Sequence, residues 1–239
     1  MPRNKPQILC TASIGQAIAD KVAAHGIALD IVPFISIKNF SDKSLEAEIE
    51  LLYKKTATIV FTSTNAVATI SAYKDDIVPD WDIFCMGQAT KRSVIESFGV
   101  EKIKGTADNA SALAETIINK GDIKEIVFFC GDIHRDELPA KLKKAGISVK
   151  EVVVYKTVTE PQKIVKKYDA VLFFSPSAVN SFFEANKADE KTVFFAIGAT
   201  TAAALSDRTS NTVVVGNRPG KEELVELAIG YFENKEINA

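Results

Sequence analysis

A chain of 239 residues, at about 150 residues per domain, holds one or two domains. It is 46% hydrophobic, 25% charged and 8% aromatic, an ordinary globular composition that excludes wholesale disorder, collagen-like repeats and a disulfide-dense mini-protein. Its 29 Lys and Arg against 31 Asp and Glu leave a net charge of −2, so no basic field draws nucleic acid or an anionic membrane.

The chain starts with a polar stretch, Met1 to Gln7, and the apolar run behind it is only a strand long, too short for the core of a signal peptide. No apolar stretch approaches the roughly 18 residues of a membrane span. Strand candidates follow at Gln7–Thr11, Leu29–Ile37, Thr58–Thr62, Ile83–Met86, Val100–Lys104, Ile126–Cys130, Ser148–Thr157, Ala170–Phe174, Val193–Ile197 and Thr212–Val215. Ile126-Val127-Phe128-Phe129 and Val171-Leu172-Phe173-Phe174 are apolar on both faces, as strands of helix-covered parallel sheets are. Helical spacing intervenes at Leu45, Ile49 and Leu52, at Leu113, Ile117 and Ile118, and at Leu224, Leu227 and Ala228. Strand and helix in alternation predict an α/β fold with right-handed crossovers. Cys10, Cys85 and Cys130 sit in apolar runs without CxxC spacing and read as buried, reduced thiols of a cytoplasmic protein.

An internal repeat sets the domain organisation. Phe61-Thr62-Ser63 with Ala66-Val67 recurs 112 residues later as Phe173-Phe174-Ser175 with Ala178-Val179. Met86-Gly87-Gln88-Ala89-Thr90 recurs 111 residues later as Ile197-Gly198-Ala199-Thr200-Thr201. The stretch from Cys10 to Ile27 resembles that from Cys130 to Ile147 at an offset of 120. One half thus has its strand–helix–strand unit first, and the other has it last. The economical arrangement is nested. A domain of residues 38–158 is inserted into a discontinuous one of residues 1–37 plus 159–239, through two strands. Two such domains are expected to hinge about a cleft.

Ligands of open parallel sheets bind beyond the carboxyl ends of the strands. That rule selects Ser63-Thr64-Asn65, Gly87-Gln88-Ala89-Thr90, Gly131-Asp132 with Arg135 one turn on, Ser175-Pro176-Ser177, and Gly198-Ala199-Thr200-Thr201. Small residues let a ligand approach the backbone, and helix N-termini offer N–H groups to anions. Simple N-capping explains the same residues. Other motifs fail. Gly216-Asn217-Arg218-Pro219-Gly220-Lys221 is one residue short of a phosphate loop and is followed by Glu222. GxGxxG and GxSxG are missing. His25 and His134 have no ligand partner at useful spacing, so no metal is expected. Asn39-Phe40-Ser41 and Asn109-Ala110-Ser111 match a glycosylation pattern that a cytoplasmic chain would not use.

Phe129-Cys130-Gly131 with Arg135, Leu138-Pro139, Leu142, Gly146 and Val154-Tyr155-Lys156-Thr157, together with the repeated motifs above, resembles the uroporphyrinogen-III synthase family. The resemblance covers most of the chain. It implies two flavodoxin-like α/β domains joined by a two-stranded linker, and a lyase that closes hydroxymethylbilane to uroporphyrinogen III with inversion of ring D in haem biosynthesis. The sequence departs from the family pattern at Thr11-Ala12-Ser13, where many members have Thr-Arg-Pro, and at Asn65, where an Arg is frequent.

The implied reaction loses the terminal hydroxyl, forms an azafulvene cation and passes through a spiro intermediate, so the enzyme assists departure and positions the chain. Tyr155 is the candidate acid. A phenol is a weak acid, with a pKa of about 10, which suits a group that leaves readily. The other reading is an ordinary strand aromatic. Thr90, Thr200 and Thr201 are candidate donors to propionate or acetate. Arg135 could pair a carboxylate or face solvent on its helix. The eight carboxylates of such a substrate would be held chiefly by backbone N–H groups near Ser63, Thr64 and Asn65, Gly87 and Gln88, Ser175, Ser177 and Ala178, and Gly198 and Thr200, with Gly131 a further substrate-binding candidate. No cofactor, nucleic acid or membrane is implied. A monomer is expected, with transient hand-over from hydroxymethylbilane synthase. The competing reading is a non-catalytic, hinged two-domain protein that binds or senses a tetrapyrrole.

Overall fold

The computed structural model describes residues 5–40, 42–73, 78–218 and 220–237. Met1–Asn4 of the polar start, Ser41 of the first glycosylation-like triplet and Pro219 of the Gly216–Lys221 stretch lie outside the described residues. Two compact units make up the chain. One comprises Met1–Ser36 with Val158–Ala239, and the other Ile37–Thr157.

The first unit begins with β1 (Gln7–Cys10), α1 (Gln16–Ala24) and β2 (Ala28–Ile31). The chain then enters β3 (Ile35–Asn39) and the second unit, with α2 (Lys43–Tyr53), β4 (Ala57–Phe61), α3 (Thr64–Ser71), β5 (Trp81–Met86), α4 (Gln88–Phe98), β6 (Ile103–Ala107), α5 (Ala110–Ile118), β7 (Glu125–Gly131), α6 (Glu137–Lys144) and β8 (Ser148–Thr159). It returns to the first unit for β9 (Ala170–Phe173), α7 (Pro176–Ala185), β10 (Val193–Ala196), α8 (Ala199–Ser206), β11 (Val213–Val215) and α9 (Lys221–Ile237).

The first unit's sheet has the order β11-β10-β9-β1-β2, with every pairing parallel. The second has β6-β5-β4-β7-β8-β3, parallel from β6 through β8. Element for element the first five strands match, so the sequence repeat is a repeat of topology. The chain passes between units within β3 and β8, which are neighbours in one sheet.

Both faces of each sheet are buried. Ile59, Phe61, Val127 and Phe129 meet α2, α3 and α4 on one face of the second sheet, while Val60, Ile126, Phe128 and Cys130 meet α5 and α6 on the other. Leu172 and Phe195 pack with α1 and α9, and Val171, Phe173 and Phe194 pack with α7 and α8. Burying apolar residues on both faces is what makes these strands read as continuous apolar runs.

Two expected strands differ. Leu29–Ile37 is not one strand. Pro33 has no N–H to give a ladder, and the chain breaks there into β2 and β3. Phe34 is fully buried at the break, and its N–H donates to the Thr11 carbonyl at 3.2 Å. Val100–Lys104 begins as a single 3-10 turn at Val100–Lys102, because Gly99, at φ 96°, ends α4 and the chain must turn before entering β6.

One ionic contact ties β2 to the chain ahead of β9. Asp30 Oδ2 accepts from Lys166 Nζ at 2.6 Å and from the Tyr168 phenol at 2.7 Å. The Lys166 bond, then the Tyr168 bond, hold the Asp30 carboxyl below its ordinary value of 3.8. A depressed folded-state value gives stability that is complete above the unfolded value and lost as pH falls through the folded one. The difference in melting temperature between wild type and Asp30→Asn should therefore be constant near neutrality and close as pH drops below 3.8, measured by thermal denaturation across pH.

Candidate active site

The carboxyl edge of the second unit's sheet gathers three of the selected residues in direct contact. Ser63 caps α3, and its Oγ accepts the Asn65 N–H at 3.1 Å. The Tyr155 phenol donates to the same Oγ at 3.1 Å. Gly131, at the end of β7, lies beneath the Tyr155 ring. A Cβ there would stand 2.5 Å from Cε2 and 2.6 Å from Cζ of that ring.

Tyr155 reaches Ser63 through a break in strand alternation. Val152 and Val154 face the α2–α4 side, so simple alternation would turn Tyr155 to the other face. The β7–β8 register shifts instead: Cys130 pairs with Val153 and Gly131 with Tyr155, leaving Val154 as an extra residue. Such a bulge re-aims the side chain that follows it. Val154 and Tyr155 both join the core on the α2–α4 side, and Tyr155 is 7% exposed.

The remaining selected residues lie on their own loops. Thr64 is exposed and Asn65 half-buried in the first turn of α3. Gly87, at φ 77°, caps α4 without a side-chain bond, a conformation natural to glycine. Gln88 is exposed there, while Thr90 is buried. In the first unit Ser175 caps α7, and its Oγ accepts the Ala178 N–H at 3.2 Å. Ser177 is half-buried and Ala178 buried. Gly198 caps α8 without a side-chain bond, and Thr200 is exposed while Thr201 is 1% exposed. Arg135 is exposed, but it stands in the loop before α6 and not on the helix, which begins at Glu137.

A family model described as uroporphyrinogen-III synthase HemD matches residues 16–226. The chain belongs to the uroporphyrinogen-III synthase family. It is thus an enzyme, a lyase of porphyrin biosynthesis. A uroporphyrinogen-III synthase of Saccharomyces cerevisiae is 25% identical, with 98% of this chain and 94% of the yeast protein covered. In fold, the chain is similar to the uroporphyrinogen-III synthetase of Helicobacter pylori, with a TM-score of 0.69 at 17% identity over 95% of this chain and 99% of that one. It is also similar to a mutant uroporphyrinogen III synthase of the extremely thermophilic bacterium Thermus thermophilus, with a TM-score of 0.64 at 14% identity over 97% and 99%.

Within this synthase-family fold the four helix starts divide into two kinds. At Ser63 and Ser175 the cap hydroxyl already accepts an N–H of the first turn, as capping alone would have it. The glycine-capped starts of α4 and α8, which correspond in the repeat, have no side chain to take that place. First-turn N–H groups without a competing cap side chain are what an anion seat at a helix start requires. Thr90 and Thr201 are buried in these first turns, whereas Gln88 and Thr200 are exposed.

The thiols offer no nucleophile. Cys10, Cys85 and Cys130 are buried and unpaired. Burial raises all three, Cys85 to about 11 and Cys130 to about 12, so they are protonated at neutral pH. Around His134 the fold supplies partners that sequence distance concealed. Its ring nitrogens lie 2.9 Å from the Gly131 carbonyl and 2.8 Å from Glu151 Oε2, and Lys143 donates to Glu151 Oε1 at 2.7 Å. Asp136 brings a carboxylate to the same group, the one set among the described residues with metal-ligand character. The hydrogen bonds in hand make it a brace between the loop after β7 and β8. Among the described residues, no helix is long and apolar enough to cross a membrane.

Proposed function

We propose that this chain cyclises hydroxymethylbilane to uroporphyrinogen III with inversion of ring D, and that Tyr155 is the acid for the leaving hydroxyl. The observation that carries the reading is the Tyr155 phenol. It is shielded from bulk water and bonded to Ser63 at the sheet edge where ligands of this architecture bind.

The chemistry follows from that position. The phenol exchanges its bond to Ser63 for one to the substrate hydroxyl, which departs as water while the pyrrole nitrogen lone pair forms the azafulvene. The substituted carbon of ring D attacks the exocyclic carbon. Fragmentation of the spiro centre and reclosure at the other α-carbon invert the ring. Loss of the proton from that carbon restores aromaticity and returns the proton borrowed from Tyr155. One water is lost overall, with no change of oxidation state, so the reaction calls for no redox cofactor.

The substrate's carboxylates are taken mainly by the glycine-capped starts of α4 at Gly87-Gln88 and of α8 at Gly198 with Thr200. Thr64 beside Ser63, Ser177 beside Ser175, and the exposed Arg135 contribute at the same carboxyl edges. Backbone donors supply local positive potential on a chain whose net charge is −2. The chain acts as a cytoplasmic monomer, consistent with three reduced thiols, and receives its unstable substrate from hydroxymethylbilane synthase.

The test is to supply freshly generated hydroxymethylbilane and separate the oxidised products by isomer. Type III product above the no-enzyme background is expected. Only type I product from folded protein would overturn the reading in favour of a tetrapyrrole-binding relative.

A further inference from the structure

We infer that Asp132 is a positioning residue that locks the β7–β8 bulge and thereby fixes the sheet face on which Tyr155 stands. This rests on the proposed role of Tyr155. Because side chains alternate along a strand, moving the pairing by one residue carries each to the opposite face. β8 is in regular pairing with β7 up to Cys130 opposite Val153, and the shift falls between Cys130 and Gly131. Without it Tyr155 would project away from α3, and Ser63 would lose the phenol.

A bulge leaves one residue out of the ladder, and the strand beyond needs other bonds to hold it. Asp132 provides them from both ends of its own residue. Its N–H donates to the Tyr155 carbonyl at 3.0 Å. Its Oδ1 accepts the Thr157 N–H at 2.9 Å and also the Ile133 N–H at 3.0 Å. Side chain and backbone of one residue thus grip β8 on either side of Lys156. The bulged residue is held from the far side, where the Phe40 N–H donates to the Val154 carbonyl at 3.0 Å. Of these bonds, only those to Asp132 Oδ1 depend on a side chain, so the register can be altered there without touching the phenol.

The experiment compares Asp132→Ala, Asp132→Asn and Asp132→Glu, each alone and combined with Tyr155→Phe. Readouts are kcat and KM for type III formation and hydrogen exchange of the segment around Thr157. Asn keeps an oxygen acceptor in place and should retain kcat within about threefold. Ala removes the acceptor. Loss of one hydrogen bond should speed Thr157 exchange by about tenfold, and kcat should fall by about tenfold or more with KM within about threefold, as expected for a misplaced acid. In the Tyr155→Phe background the Ala substitution should cost little further kcat, because coupled residues are not additive. Fully additive losses, or unchanged exchange and kcat in Asp132→Ala, would overturn the inference. If Asp132→Ala does not fold, Asp132→Glu displaces the acceptor by one methylene and should show the same coupled loss, with additivity again fatal. If Tyr155→Phe alone is harmless, the reading of Tyr155 fails, while exchange at Thr157 still decides whether Asp132 clamps the bulge.

Discussion

Tyr155→Phe should lower kcat for type III formation by about 100-fold while KM moves by no more than about threefold. General acids contribute about 10² to 10⁴, and a phenol assisting a good leaving group belongs at the low end. The substitution keeps the ring on Gly131 and in the α2–α4 core, so KM should change little. It removes the phenol proton that Tyr155 directs at Ser63 on the sheet edge. Spontaneous closure then competes, and the share of type I product should rise as turnover slows. The bond to Ser63 is also lost, at a cost to stability of about 1 kcal/mol, too little to unfold the protein. Initial rates with isomer separation, paired with a denaturation curve, distinguish loss of the acid from loss of the fold. A kcat within about twofold of wild type would assign the proton to solvent and leave Tyr155 as a packing residue.

The architecture was legible because its signals are local. Runs such as Ile126–Phe129 announce strands buried on both faces, and the paired motifs at Phe61 and Phe173, Gly87 and Gly198, and Cys10 and Cys130 register the duplicated topology. Two kinds of information were not local. Pro33 divides an apolar run between two sheets, and the run's composition does not show where the pairing changes partner. The bulge at Val154 is likewise a property of two strands together. Reading Val152-Val153-Val154-Tyr155 alone, alternation sends Tyr155 to the wrong face, and only the Cys130–Gly131 register corrects it. The same limit applies to the site. Serine and glycine at helix starts look equivalent as anion seats, yet Ser63 and Ser175 spend their hydroxyls on Asn65 and Ala178, whereas Gly87 and Gly198 have none to spend. His134 and Glu151 are 17 residues apart and meet only because α6 folds back between them.

Gly131→Ala tests the seat of the phenol from the opposite side. Gly131 is not among the positive-φ glycines, so backbone conformation does not demand a glycine here. The demand comes from the ring above it. A methyl group 2.5 Å from Cε2, 2.6 Å from Cζ and 2.9 Å from Oη of Tyr155 cannot coexist with the ring where it stands. The ring belongs to the same buried cluster as Val154 and Phe129, and packed interiors yield little. The substitution should therefore cost about 1–3 kcal/mol by overpacking. It should also drive the phenol from Ser63 and lower kcat at least as far as Tyr155→Phe does. The two effects separate in a Tyr155→Ala background, where no ring is left to collide. There Gly131→Ala should add almost nothing to the instability already present, a coupling that denaturation of the single and double variants measures directly. Equal destabilisation in both backgrounds would mean that Gly131 serves the end of β7 and not the ring. The kinetic loss would then need another cause than a displaced Tyr155.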